Sequence, residues 1–274
     1  YESSAMNAAF VPNLLVDVRL TPRGCPQCTQ PRAIADESMV VEQRAKRKTQ
    51  LLDLIKYARV RQGVLPNSPG TPVGLPRKFQ ADMAQAVEDL EKFNPNPRPV
   101  ANNPMVLDGV WRAIYSEARE IVSLAKLPAG LLCGEVLQVI NVPRAQFSNL
   151  AMVYHRLDAI KGFVRVSATF KPRVLATGQA GEGSGIDVQF LERSLHLLNI
   201  VGFDAPSFMD PFSVQDPNMG RTRVPFLTTT YIDDSLRIGQ SPSGLYILEK
   251  IDEVDESLGI APKWNPKFTE PIAP

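Results

Sequence analysis

Cys25-Pro26-Gln27-Cys28 is the segment whose residue types come nearest to a reaction centre. Two thiols at this spacing can share a lowered thiolate pKa, close a local disulfide, or supply two of the four ligands that zinc needs. A redox pair of the thioredoxin kind opens a helix after a strand, whereas these cysteines stand among Pro22, Pro26 and Pro31. Zinc would have to recruit Cys133 and a distant histidine. The chain has only 2 histidines. Both, His155 and His196, lie in strand-like or apolar segments with no serine, cysteine or acid spaced to make either a general base. Gly181-Glu182-Gly183-Ser184-Gly185 lacks the lysine and following helix of a phosphate loop and the spacing of a nucleophile elbow, so it predicts a flexible hairpin. The expectation is no catalytic residue and no metal site, with Cys25 and Cys28 as a candidate redox pair beside the alternatives of a local disulfide or inert thiols.

A second constellation is structural in character. Gly109-Val110-Trp111 opens a strand-like segment, and Arg237 comes late, within Tyr231-Ile232-Asp233-Asp234-Ser235-Leu236-Arg237-Ile238. If the strands close into a ring, first and last become neighbours and the guanidinium can cover the indole, worth about 0.5–2 kcal/mol. Gly109, Trp111, Tyr231 and Arg237 are therefore expected to clamp the end of a barrel. A Gly-x-Trp followed late by an arginine is similar to the signature of lipocalins.

The elements that must position this clamp follow from hydrophobic period. Residues 42–59 read as a helix with Leu51, Leu52, Ile55 and Ala58 on one face, and 77–93 as a second with Phe79, Met83, Val87 and Leu90 in one stripe. A Gly/Pro loop over 61–76 joins them, and Asn94-Pro95-Asn96-Pro97-Arg98-Pro99 predicts an extended spacer. From residue 105 the period drops to two. Strands are expected at 109–115, 133–140, 150–156, 162–170, 172–178, 186–191, 222–232 and 244–250, with a short helix at 117–127. About eight short strands without helical crossovers call for an antiparallel barrel, whose interior holds side chains or one small ligand. Small or apolar candidates for its inner wall are Ala113, Val136, Val153, Val166, Ala168 and Val188.

Composition bounds the partners. The 274 residues carry 30 Lys and Arg against 29 Asp and Glu, a net charge of +1, so no global field attracts nucleic acid. No apolar run is long enough to span a bilayer as a helix, and residues 1–30 lack a secretory pattern. The 24 prolines gather at the ends and between segments, which predicts extended arms over 1–41 and 252–274 around a helical hairpin with its linker, 42–100, and a barrel, 101–251. Locally, Arg44, Lys46, Arg47, Lys48, Lys56, Arg59 and Arg61 outweigh Glu42 and Asp53. The first four of these, with Trp264 and Phe268 in the C-terminal arm, are the expected contacts to an anionic lipid surface or a protein partner.

Four motifs in order carry a resemblance: Leu51-Leu52-Asp53-Leu54-Ile55, Leu90-Glu91-Lys92-Phe93-Asn94-Pro95-Asn96-Pro97, Leu107-Asp108-Gly109-Val110-Trp111-Arg112-Ala113-Ile114-Tyr115, and Tyr231 to Ile238 with Gly244-Leu245-Tyr246-Ile247-Leu248. Over residues 49–250 the chain resembles the plastid lipid-associated proteins, or fibrillins. The resemblance implies a mainly β fold, a lipocalin-like barrel preceded by a helical pair. It also implies a plastid protein peripheral to thylakoids or plastoglobules, on the stromal side, that binds lipid or isoprenoid, or carotenoid and chlorophyll surfaces, in a photoprotective or structural role without catalysis. An alternative deployment is a photosystem or light-harvesting subunit tethered by its arms. The chain departs from the family after Ile238, where Gly239-Gln240-Ser241-Pro242 replaces the usual basic turn.

Overall fold

The computed structural model describes residues 30–179, 181–204, 212–215 and 225–251. Both proline-rich ends, with Cys25, Cys28, Trp264 and Phe268, lie outside the described residues. Ten strands, four α-helices and one 3-10 turn are described: α1 Gln30–Gln62, α2 Arg77–Glu91, α3 Pro99–Asn102, the 3-10 turn Pro104–Leu107, β1 Gly109–Ser116, α4 Arg119–Leu124, β2 Leu131–Asn141, β3 Gln146–His155, β4 Ile160–Pro172, β5 Gly185–Ile200, β6 Phe203–Asp204, β7 Phe212–Gln215, β8 Phe226–Ile232, β9 Leu236–Ser241 and β10 Gly244–Ile251. One compact unit begins at Val40; residues 30–39, the first turns of α1, belong to a separate one. Among the described residues no helix is long and apolar enough to cross a membrane.

The fold is mainly β. Neighbouring strands run β4-β3-β2-β1-β10-β9-β8-β5, and the pairing of β4 with β5 closes the path into an eight-stranded antiparallel ring. The closing seam between β5 and β8 is short: Gly185, Ile186 and Asp187 meet Thr228, Leu227 and Phe226. Beyond it β5 pairs with β7 and β6 instead. Edge groups of β8 left without a strand are taken by two side chains. Asn94 donates to Thr230 O at 2.7 Å and accepts from Ile232 N at 3.2 Å, and Asn96 donates to Ile232 O at 3.0 Å. The expected spacer is thus a clip that satisfies a strand edge, where unpaired backbone groups would be costly.

Register separates two faces. One carries Trp111, Ala113, Val136, Phe147, Ala168, Val188, Ile232 and Leu248, which form a single cluster drawn from seven of the ring strands and so line the interior. The other carries Ile114, Tyr231, Leu236, Ile238 and Ile247, which pack outward against Leu51, Ile55 and Ala58 of α1 and Phe79, Met83, Val87 and Leu90 of α2. Both helices show the i, i+3/i+4, i+7 spacing that produces one apolar stripe, and the outer wall of the barrel is what that stripe buries.

Several boundaries differ from the sequence expectation. Helix α1 starts at Gln30, inside the stretch expected to be an extended arm, with Pro31 in the first turn, where its missing N–H costs nothing. Residues 172–178 are not a strand: β4 runs through to Pro172, which has no N–H to continue a ladder, and residues 173–176 have no regular structure. The eighth stave is β9. Its pattern is inverted, with Leu236 and Ile238 facing the helices and Arg237 facing in, so alternation alone hides it.

Candidate functional site at the closed end of the barrel

The end of the ring near Gly109 is closed from below. Val100, Val106 and Leu107, brought in by α3 and the 3-10 turn, join the inner cluster, and Trp111 Nε1 donates to Leu107 O at 2.8 Å. Trp111 is 0% exposed. Arg237, 1% exposed, sets its guanidinium carbon 5.0 Å from the indole centroid, and Lys250 Nζ lies 5.3 Å from it. Arg237 Nη2 donates to Gln138 Oε1, whose amide in turn donates to Asn149 Oδ1 at 3.0 Å. Burial pulls the Arg237 guanidinium down to about 9, so it stays cationic at neutral pH. Isolating such a charge from water costs several kcal/mol unless hydrogen bonds or a counter-charge offset it.

Of the four residues expected to clamp the barrel end, the structure brings three together. Gly109 has a φ of +117°, and a Cβ there would stand 3.2 Å from Lys250 Cε, so glycine lets that lysine chain pass beside Trp111. Tyr231 is directed to the opposite face. Its hydroxyl donates to Asp233 Oδ2 at 2.6 Å, and Lys48 Nζ of α1 donates to Asp233 Oδ1 at 2.9 Å, Asp233 Oδ2 at 2.7 Å and Ser235 Oγ at 2.7 Å. Burial alone would raise the Asp233 carboxyl, but the hydrogen bonds from Lys48, Tyr231 and the Ser235 backbone outweigh it and hold the group below its ordinary value.

The basic face expected to contact lipid is largely engaged within the protein. Arg44 Nε donates to Phe93 O at 3.0 Å, Arg47 pairs with Asp89 at 3.5 Å, and Lys48 is fixed on Asp233. Lys46 alone of the four is exposed. These side chains dock α1 onto α2 and the barrel, which a count of charges along one helix has no means to reveal.

Among the described residues the groups nearest to reaction chemistry are Cys133 and His196. Cys133 is half-buried, and desolvation pushes its thiol up to about 12, far from a reactive thiolate. His196 stacks on Phe163 with centroids 4.4 Å apart and shares a 2.9 Å hydrogen bond with Ser194 Oγ. Burial, then the nearby Arg165 charge, hold its imidazole below the ordinary value. Among the described residues no cluster of three or more His, Cys, Asp or Glu could hold a metal.

The inner wall is not uniformly closed. Ala168 and Val188 are buried, but Val153 and Val166 are half-buried, and Leu195, on the same face, is 40% exposed. Solvent therefore reaches the wall along β3, β4 and β5, opposite the sealed end. At the tip of these strands Ile160, Ile200 and Phe203 are cross-strand neighbours, and the adjoining turns present Leu157 and Val201. Leu157 is 83%, Val201 68% and Phe203 78% exposed.

A closed ring of eight strands with an indole and a guanidinium at its base, carried on a helical pair, is the arrangement to compare with known proteins. The PAP_fibrillin family model matches residues 68–249. The chain belongs to that family. Similar curated sequences include a probable plastid-lipid-associated protein 3, chloroplastic, of Arabidopsis thaliana, 29% identical over 66% of this chain and 55% of that one. Plastid lipid-associated protein 3 of Brassica campestris is 28% identical over 63% and 54%, and plastoglobulin-1 of Pisum sativum 25% identical over 66% and 58%. The chain thus matches little more than half the length of these relatives. No solved structure matches it significantly. Within the family region the sequence motifs announced Trp111 and Arg237. They gave no sign of Gln138, Lys250 or the Lys48–Asp233 bridge, because each depends on register between segments far apart in the chain.

Proposed function

We propose that the chain is a non-enzymatic plastid lipid-associated protein, peripheral to the thylakoid or plastoglobule surface on the stromal side, that binds lipid, isoprenoid or pigment in a structural or photoprotective role. Membership of the family supports the plastid and lipid assignment. The observation that carries the surface contact is the apolar strand tip, Leu157, Ile160, Val201 and Phe203, which water solvates at a cost of about 25 cal/mol per Å². Insertion of this tip among acyl chains removes that cost, and the half-open inner wall behind it offers an apolar surface to a hydrocarbon chain.

The test is flotation of the full chain with vesicles of neutral galactolipid, with and without anionic lipid. The expected result is recovery of the chain with the vesicles and at least a five-fold loss of recovery for a variant combining Leu157→Ser with Phe203→Ser. Unchanged recovery of that variant would remove the tip from the account, and no flotation of the wild-type chain would remove the lipid surface itself.

A further inference from the structure

Among the described residues the closed end of the barrel gathers two cations, Arg237 and Lys250, and pairs neither with an acid. Arg237 is fully enclosed, and while its Nη2 is satisfied by Gln138, its Nε and Nη1 have no hydrogen-bond partner among the described residues. Lys250 Nζ lies 5.3 Å from the centroid of the same indole and forms no ion pair there among the described residues. Neighbouring carboxylates are committed elsewhere: Glu249 is held by Arg112 on the outer face at 2.7 Å, and Asp108 accepts from Val142 N at 2.8 Å. A guanidinium presenting unpaired N–H groups in a dry enclosure is a fork matched to an oxyanion.

We propose that Arg237, assisted by Lys250, receives the carboxylate of a long-chain amphiphile whose hydrocarbon part lies along the inner wall. The polar row Arg237, Gln138, Asn149 crosses the interior, and Asn149 is the register partner of Val166, where the wall becomes half-exposed. A head group at Arg237 and a tail running past Val166 toward Leu195 would connect the sealed base with the accessible side. The small side chains Ala113, Ala151 and Ala168 on the inner face are what a chain threading this route requires. In this arrangement Trp111 is the floor under the head group, and the ligand supplies a negative charge that the described residues at this end do not offer Arg237. The proposal deepens the lipid-binding reading and rests on it, adding the ligand's charge and its receptor.

The experiment uses the full chain carrying Trp264→Phe, so that Trp111 is the remaining tryptophan, and follows its emission on titration with dodecanoate or, separately, 1-dodecanol. The expected result is a saturable one-to-one change with dodecanoate at least ten-fold tighter than with the alcohol. The preference for the acid is lost in Arg237→Met and reduced in Lys250→Gln. Equal binding of acid and alcohol would overturn the anion site and leave lipid binding standing. No change with either, in a chain that still floats with vesicles, would likewise overturn it and confine lipid contact to the surface. If Arg237→Met fails to fold, the wild-type comparison of acid with alcohol and the Lys250→Gln titration decide by themselves.

Discussion

At Asp233 four donors, Lys48 Nζ, the Tyr231 hydroxyl and the backbone N–H groups of Ser235 and Leu236, converge on one carboxylate, and the consequence is a pH dependence whose direction is fixed. The folded chain holds this group below its ordinary 3.8, so it contributes stability that is present above that value and lost as pH falls through the lower folded one. His196 acts in a different window. Its imidazole, held below the ordinary 6.5, resists a proton that the unfolded chain accepts, so stability declines as pH falls below about 6.5. Denaturant midpoints measured from pH 8 to pH 3 are expected to fall in two stages. His196→Phe should remove the upper stage and Asp233→Asn the lower, and a single unaltered slope in either variant would contradict the assignment. Lys48→Met is expected to cost about 1–3 kcal/mol at neutral pH, since it leaves a half-buried carboxylate without its cation. At Gly109, an alanine meets both a φ of +117° and Lys250 Cε, and a loss of about 1–3 kcal/mol in chemical denaturation is expected.

Among the elements, the short seam between β5 and β8 is where the ring is most easily opened. Arg173 reinforces it, its guanidinium carbon 3.7 Å from the Phe226 centroid and its Nη1 3.7 Å from Asp187, while its backbone N donates to Gly185 O. Loss of that stacking should loosen the seam before it unfolds the barrel. Phe226→Ala is therefore expected to speed amide exchange at Gly185, Asp187 and Thr228 well before β1, β2 and β10 respond, and uniform acceleration over all strands would contradict the seam. The same elements mark what the sequence could reveal. Helix α2 was legible because Phe79, Met83, Val87 and Leu90 repeat at helical spacing and all are buried. Strands β1 and β10 were legible because each is a short run rich in apolar and aromatic residues that opens at a glycine, Gly109 or Gly244. Strand β9 was not, since a charged residue faces the interior there, and residues 173–178 misled because their alternation ends in no partner. Asn94 and Asn96 read as spacer residues, for their edge-satisfying role exists only once β8 has lost β5.

At the scale of the whole unit that begins at Val40, the helices pack on one outer wall while the strand tip of β4, β5 and β6 presents an apolar cluster beside a half-open inner wall. The Trp111 and Arg237 pairing was legible from order along the chain alone, but that no acid among the described residues balances Arg237 and Lys250 is a property of the assembled interior. The role proposed for this barrel is to bind rather than to transform, and among the described residues its enclosed end sets no nucleophile beside a base. The most direct measurement of that claim is native mass spectrometry of the full chain after incubation with a thylakoid lipid extract, paired with analysis of the extract. The account predicts one-to-one adducts of lipid mass and an extract of unchanged composition. A chain that emerges without lipid, or an extract that accumulates cleavage products in proportion to the protein added, would contradict it.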